Sequence, residues 1–234
     1  MTQQINPSDI NGPVLVIAPH PDDETLGCGG LLAALVRNGT AVHTIFVTDG
    51  SSSHRNSHSW PPERLARQRR LEASDALDQL GAGGEPRTFL ALKDANMPSR
   101  GEPEYEAAVA SVFDILKRLE PALVLVPWRR DPHCDHRDAW SLVMDAVHQA
   151  DQTPDILEYT IWLDELGALD DFPKSGEVEI VEFESPDLVA LKRRAIAAHA
   201  SQLGGLIMDD PTGFFLTEST LDRLIKPVET YWRA

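Results

Sequence analysis

The run Val14-Leu15-Val16-Ile17-Ala18 has no polar side, so neither face of it can meet water. A β-branched apolar run of this kind is a strand buried on both faces, the pattern of a central parallel strand. The spacing predicts a helix over 25–38, stopped at Gly39, and a second strand over 42–47. Strand, helix and strand in this order make a right-handed βαβ unit, which commits the chain to a parallel sheet. The cycle continues with a Ser-rich loop after Gly50, a helix over 63–80, a strand over 87–92, a helix over 104–119, a strand over 122–127 and a helix over 135–148. Beyond that the pattern weakens: edge strands are expected at 160–162 and 178–183, a helix at 188–202, and a tail from Asp209 that packs back on the domain. The fold class is α/β, a three-layer α/β/α sandwich with a mostly parallel sheet. With 234 residues there is room for one large core, so residues 1–234 read as a single domain.

Charge narrows the partners. Lys+Arg 21 against Asp+Glu 37 gives −16, a field that repels nucleic-acid backbones and anionic membranes. No segment approaches the roughly 20 apolar residues of a membrane span, and two cysteines are too few for a disulfide framework. A cytoplasmic protein acting on a small molecule is expected, with the oligomeric state left open, a homo-oligomer included.

Two polar clusters follow buried strands: Pro19-His20-Pro21-Asp22-Asp23-Glu24 after the first, and Asp131-Pro132-His133-Cys134-Asp135-His136 after the strand at 122–127. Ligands of open parallel sheets bind beyond the carboxyl ends of strands, so both clusters should open on one edge. Imidazole nitrogen and carboxylate oxygen are first-row metal ligands, and two His with one Asp plus water make an open catalytic zinc arrangement. His20 and Asp23 lie three apart across a Pro-directed turn, and His133 and His136 lie one helical turn apart; each pair can converge on a point. Asp22, beside a ligand, is placed to take a proton from metal-bound water, whose pKa falls to about 7 in such sites. A single His-x-x-His pair arises often by chance; two clusters after two apolar strands are poorly explained as solvated surface.

The segment Ala18–Glu24, with Gly27-Cys28-Gly29-Gly30 behind it, resembles the signature of the PIG-L/LmbE-like N-acetylglucosaminyl deacetylases, and His133-Cys134-Asp135-His136 resembles that family's second motif. Arg69-x-x-Glu72, the Asp94 loop and the segment Lys192–Gln202 with His199 extend the likeness over most of the chain. The resemblance implies a Rossmann-like fold, zinc (other divalent first-row metals being open) and hydrolysis of an N-acetyl group on an amino-sugar small molecule. It assigns His20, Asp23 and His136 to the metal and Asp22 to the general base. His133, held by Asp135, becomes the oxyanion stabiliser and general acid, and Arg69 and Asp94 become substrate contacts. Alternatives are an amidase for a larger N-acyl group on a thiol or antibiotic conjugate, and an idle sugar-binding module. Cys134 stands where the family commonly has Pro, and as a thiol it is a rival zinc ligand or a partner for Cys28. His54 and His58 lie in the Ser-rich loop, a poor preorganised ligand set, and Trp60 there is a candidate to stack on a sugar. Glycines 27, 29 and 30 are expected to let backbone approach the metal loop.

Overall fold

The computed structural model describes residues 2–234. Its eight strands are β1 (Gln3–Gln4), β2 (Val14–Ala18), β3 (Val42–Thr48), β4 (Arg87–Leu92), β5 (Leu123–Pro127), β6 (Asp155–Tyr159), β7 (Glu179–Glu184) and β8 (Val228–Arg233). They form one sheet in the order β1-β7-β8-β6-β5-β2-β3-β4, in which β8 alone runs antiparallel to its neighbours. Helices α1 (Asp23–Arg37), α2 (Pro62–Gln79), α3 (Pro103–Leu119) and α4 (Cys134–Ala150) connect the parallel strands; α5 (Leu163–Leu166), α6 (Val189–Ala197) and α7 (Glu218–Leu224) follow.

Strand β2 shows why its sequence is apolar throughout. Val14, Val16 and Ala18 enter a core shared with α1, α2 and α6, while Leu15 and Ile17 enter a second core against α3 and α4. The three layers expected from the sequence are therefore present. Because β2 pairs with both β3 and β5, strand order reverses between β2 and β5, and the loops leaving those two strands flank the crevice at that reversal.

Several expectations are corrected. The strand expected at 160–162 is a bend; β6 ends at Tyr159 and is interior, between β5 and β8. β7 is not the edge, because the two-residue β1 from the polar lead-in pairs beyond it. The helix expected to run to Gln202 stops at Ala197, and short 3₁₀ turns flank it. The tail does pack back on the domain, and it does so as a strand inside the sheet.

The glycines of α1 serve a purpose different from the one expected. A Cβ on Gly27 would lie 2.2 Å from the Tyr159 ring, and one on Gly30 would lie 3.0 Å from the Glu229 carboxylate. They make room for side chains of β6 and β8.

Candidate metal centre

The turn after β2 folds onto itself: the Asp23 carboxylate accepts the His20 backbone N–H at 2.9 Å and lies 3.1 Å from His20 Nδ1. The same oxygen, Oδ2, lies 3.2 Å from His136 Nε2, supplied by the first turns of α4. His20 Nε2 reaches the other motif too, 3.0 Å from Asp135 Oδ2 and 3.4 Å from Asp94 Oδ1. Residues more than a hundred positions apart thus meet around one point. Rings of His20, His133 and His136 stand with centroids 4.7–5.4 Å apart, and one nitrogen from each lies within 4.8 Å of the others.

The donor set fits a divalent ion. His136 is fully buried, and neither ring nitrogen makes a directional hydrogen bond, although carboxylates stand within 3.4 Å of both. A buried imidazole left without such a bond, facing the carboxylate oxygen that a second imidazole also faces, is what N,O,N ligation asks of a first-row metal site. Electrostatics agree. Burial opposes the charged imidazole, yet the carboxylates of Asp23 and Asp131 outweigh it and push His136 up to about 9. His20 is raised likewise, against its burial, by Asp135, Asp23 and Asp94. The cage is built to hold positive charge.

Around it the other named residues take distinct places. Asp22 is buried, and desolvation raises its carboxyl to about 7 although Arg69 pulls it down. Arg69 Nη2 lies 3.0 Å from Asp22 Oδ2 and donates to Pro21 O at 3.2 Å, while Nη1 donates to Gly50 O at 3.0 Å. Its guanidinium is a brace for Asp22. The Asp135 carboxylate does not hold His133 as expected: it bonds His20 Nε2 and accepts the Ala95 N–H at 2.7 Å, and only its backbone N–H reaches His133 Nδ1, at 3.2 Å. That bond leaves the proton of a neutral His133 on Nε2. Burial, then repulsion from His20 and His136, lowers His133 to about 4. Asp94 is fixed by the Ser52 N–H at 2.7 Å and lies on the cavity wall.

One partner went unassigned in the sequence. Asp131, fully buried, sets Oδ1 3.4 Å from His136 Nδ1 and accepts the His133 N–H at 3.0 Å. A carboxylate behind a metal-binding imidazole fixes its tautomer and orientation. Its position five residues before His136, inside the second motif, was the available signal.

Other candidates fall elsewhere. Trp60 lies under the Arg64 guanidinium, 3.9 Å from its ring centroid, and does not line the cavity. His54 bonds Ser53 and abuts Gly213; no metal-ligating group contains it or His58 among the described residues. Cys28 and Cys134 are both free, the first buried and the second exposed, and Cys134 lies within ligand reach of His133 and Asp135. His199 is buried with its Nε2 3.8 Å from Glu24.

Residues 15–147, over half the chain and including both motifs, match the sequence profile of the family described as PIG-L, GlcNAc-PI de-N-acetylase. The chain belongs to the PIG-L family. Among curated PIG-L relatives, the 1D-myo-inositol 2-acetamido-2-deoxy-alpha-D-glucopyranoside deacetylase of Rhodococcus opacus is 27% identical, over 81% of each chain. Among solved structures, the N,N'-diacetylchitobiose deacetylase of Pyrococcus horikoshii superposes with a TM-score of 0.67 at 26% identity, covering 85% of this chain and 73% of that one. A zinc-inhibited teicoplanin deacetylase superposes with a TM-score of 0.64 over 95% of this chain and 98% of that one; at 20% identity it shows the fold.

Proposed function

We propose that this PIG-L protein removes the N-acetyl group from an N-acetylglucosamine-containing small molecule, using zinc held by His20, Asp23 and His136. The observation that carries the reading is the single Asp23 oxygen lying within about 3.2 Å of both imidazoles, with Asp22 and His133 lining the cavity beside it. The bound ion supplies Lewis acidity at the amide carbonyl. Everything else is done by side chains. Asp22, held by Arg69 and near 7, is matched to accept a proton from the attacking water at neutral pH. His133, neutral and protonated at Nε2, presents an N–H donor where the carbonyl oxygen gains negative charge. The proton gathered by Asp22 is then available to the departing amine, while His133, with Nδ1 occupied by the Asp135 N–H and Nε2 protonated, keeps the donor role at the carbonyl oxygen. Arg69 and Asp94 face the same cavity, where a sugar would contact them. Two free thiols support placement in a reducing compartment, and no helix among the described residues is long and apolar enough to cross a membrane.

The test is an amine-release screen over acetylated amino sugars with metal content measured in parallel. Stripping the ion should abolish release and zinc should restore it. Metal-loaded protein that releases no amine from any N-acetylated sugar would overturn the reading.

A further inference from the structure

The cavity at the metal centre is lined by residues of two kinds. Ser52, Ser53, Arg55 and Asp94 are polar; Trp162, Leu166 and Phe214 give it an apolar wall, to which Leu26 adds. Its volume is about 270 Å³, at the small end of the roughly 300–1,000 Å³ typical of small-molecule sites. A cavity of this size has room for little more than one sugar ring, so the rest of a larger substrate extends beyond it.

The apolar wall reaches solvent. Leu166 is 65% exposed and Phe214 38%, and the Trp162 and Phe214 rings meet edge to face at 5.6 Å. Large apolar side chains left open beside a site mark a binding surface. The wall is also built in. Trp162 N–H donates to Asp131 Oδ2 at 3.1 Å, the carboxylate that backs His136, and Phe214 N–H donates to Ser53 O at 2.7 Å. Its neighbour Gly213 presses against His54, where a Cβ would stand 2.2 Å from the ring. Trp162, Leu166 and Phe214 all lie outside residues 15–147, the stretch that matches the family profile and carries the chemistry.

We propose that the substrate carries an alkyl or aryl aglycone that lies on Trp162, Leu166 and Phe214 while its acetamido group sits at the metal centre. This rests on the deacetylase reading. An apolar aglycone gains on this wall by burying surface against Trp162, Leu166 and Phe214, which a polyhydroxylated one does less.

The experiment uses methyl, butyl and hexyl 2-acetamido-2-deoxyglucosides with the metal-loaded enzyme, and the matching glucosides without an amide as binding probes read by tryptophan fluorescence. Each added methylene should raise kcat/KM by about twofold to fourfold, mainly through KM. Leu166→Ser and Phe214→Ser should flatten that dependence. Amine release that does not change along the series overturns the aglycone proposal and leaves the deacetylase reading standing. Chain-length-dependent binding of the amide-free glucosides without hydrolysis of any acetamido sugar does the reverse. No chain-length effect in either assay overturns the proposal outright.

Discussion

At the scale of single residues, the division of labour among carboxylates is set by what each one touches. Asp23 faces two imidazoles, Asp22 faces a guanidinium, and Asp131 backs His136. Asp22→Asn should therefore keep its metal and lose at least a hundredfold in turnover, the usual scale for a positioned acid or base, about 10²–10⁴. Undiminished kcat would remove Asp22 from the proton-transfer role. Asp131→Asn should weaken metal binding by about 10–100-fold, the effect of losing a carboxylate behind a ligand. Competition against a chromophoric chelator measures it, and an unchanged affinity would show that His136 needs no such support. The two motifs were legible because chemistry-bearing residues there follow apolar strands within a few positions. The bracing tasks were less so. Arg69 sits on a helix among other arginines, and nothing local distinguishes a buried brace for Asp22 from a solvated face. The Asp135 carboxylate turns to His20 and Ala95, a contact fixed by the β4–α3 loop and absent from local spacing.

At the scale of elements, α1 departs from helical geometry at Cys28, with φ −141 and ψ 20. The interruption frees the N–H groups of Gly30 and Leu31, and Glu229 of β8 accepts both at 2.8 Å while pairing with Lys192 at 2.7 Å and Tyr231 Oη at 2.9 Å. Removing that carboxylate strands two amides and a buried ammonium, so Glu229→Ala should cost about 3–5 kcal/mol. Urea unfolding reads this directly, and a loss below about 1 kcal/mol would rule out the cap. Strand β6 carries a second buried acid, Glu158, which desolvation raises to about 7 although Arg129 lies 3.5 Å away. A raised acid binds its proton more tightly when folded, so this group's contribution is full at low pH and is lost as pH climbs from about 4.5 to about 7. Glu158→Gln should gain stability over the parent at pH 8, by about 1–2 kcal/mol, and little at pH 4. A gain confined to low pH would reverse the sign and refute the assignment. These two acids also explain why the last third resisted reading. Glu158 interrupts the apolar run of β6, and Glu229 interrupts β8. The more apolar Thr160-Ile161-Trp162 is a bend, its amides at 161 and 162 donating to Asp131. β2 and β5 were plain because their polar clusters lie beyond their ends.

At the scale of the whole molecule, every proposed metal ligand precedes residue 147, yet the sheet that aims them is completed by the last seven residues. β8 joins β6 on one side to β7 on the other, and β1 hangs on β7. Deleting Val228–Ala234 removes the hydrogen bonding of two ladders, the fully buried Tyr231 ring and the Glu229 cap, and leaves Lys192 buried without its partner. Loss of a buried aromatic costs about 3–5 kcal/mol, and an uncompensated buried charge a similar amount. Together these approach the total stability of a domain, about 5–15 kcal/mol. The shortened chain should accordingly lose its cooperative urea transition and bind a hydrophobic dye. It should also hold metal far more weakly, because Tyr159 of β6, whose hydroxyl donates to Ile17 O at 2.6 Å, loses the strand beside it and with it the hold on the turn carrying His20 and Asp23. A truncated protein with a sharp transition and parental zinc affinity would show that strands β2–β6 position the metal centre unaided.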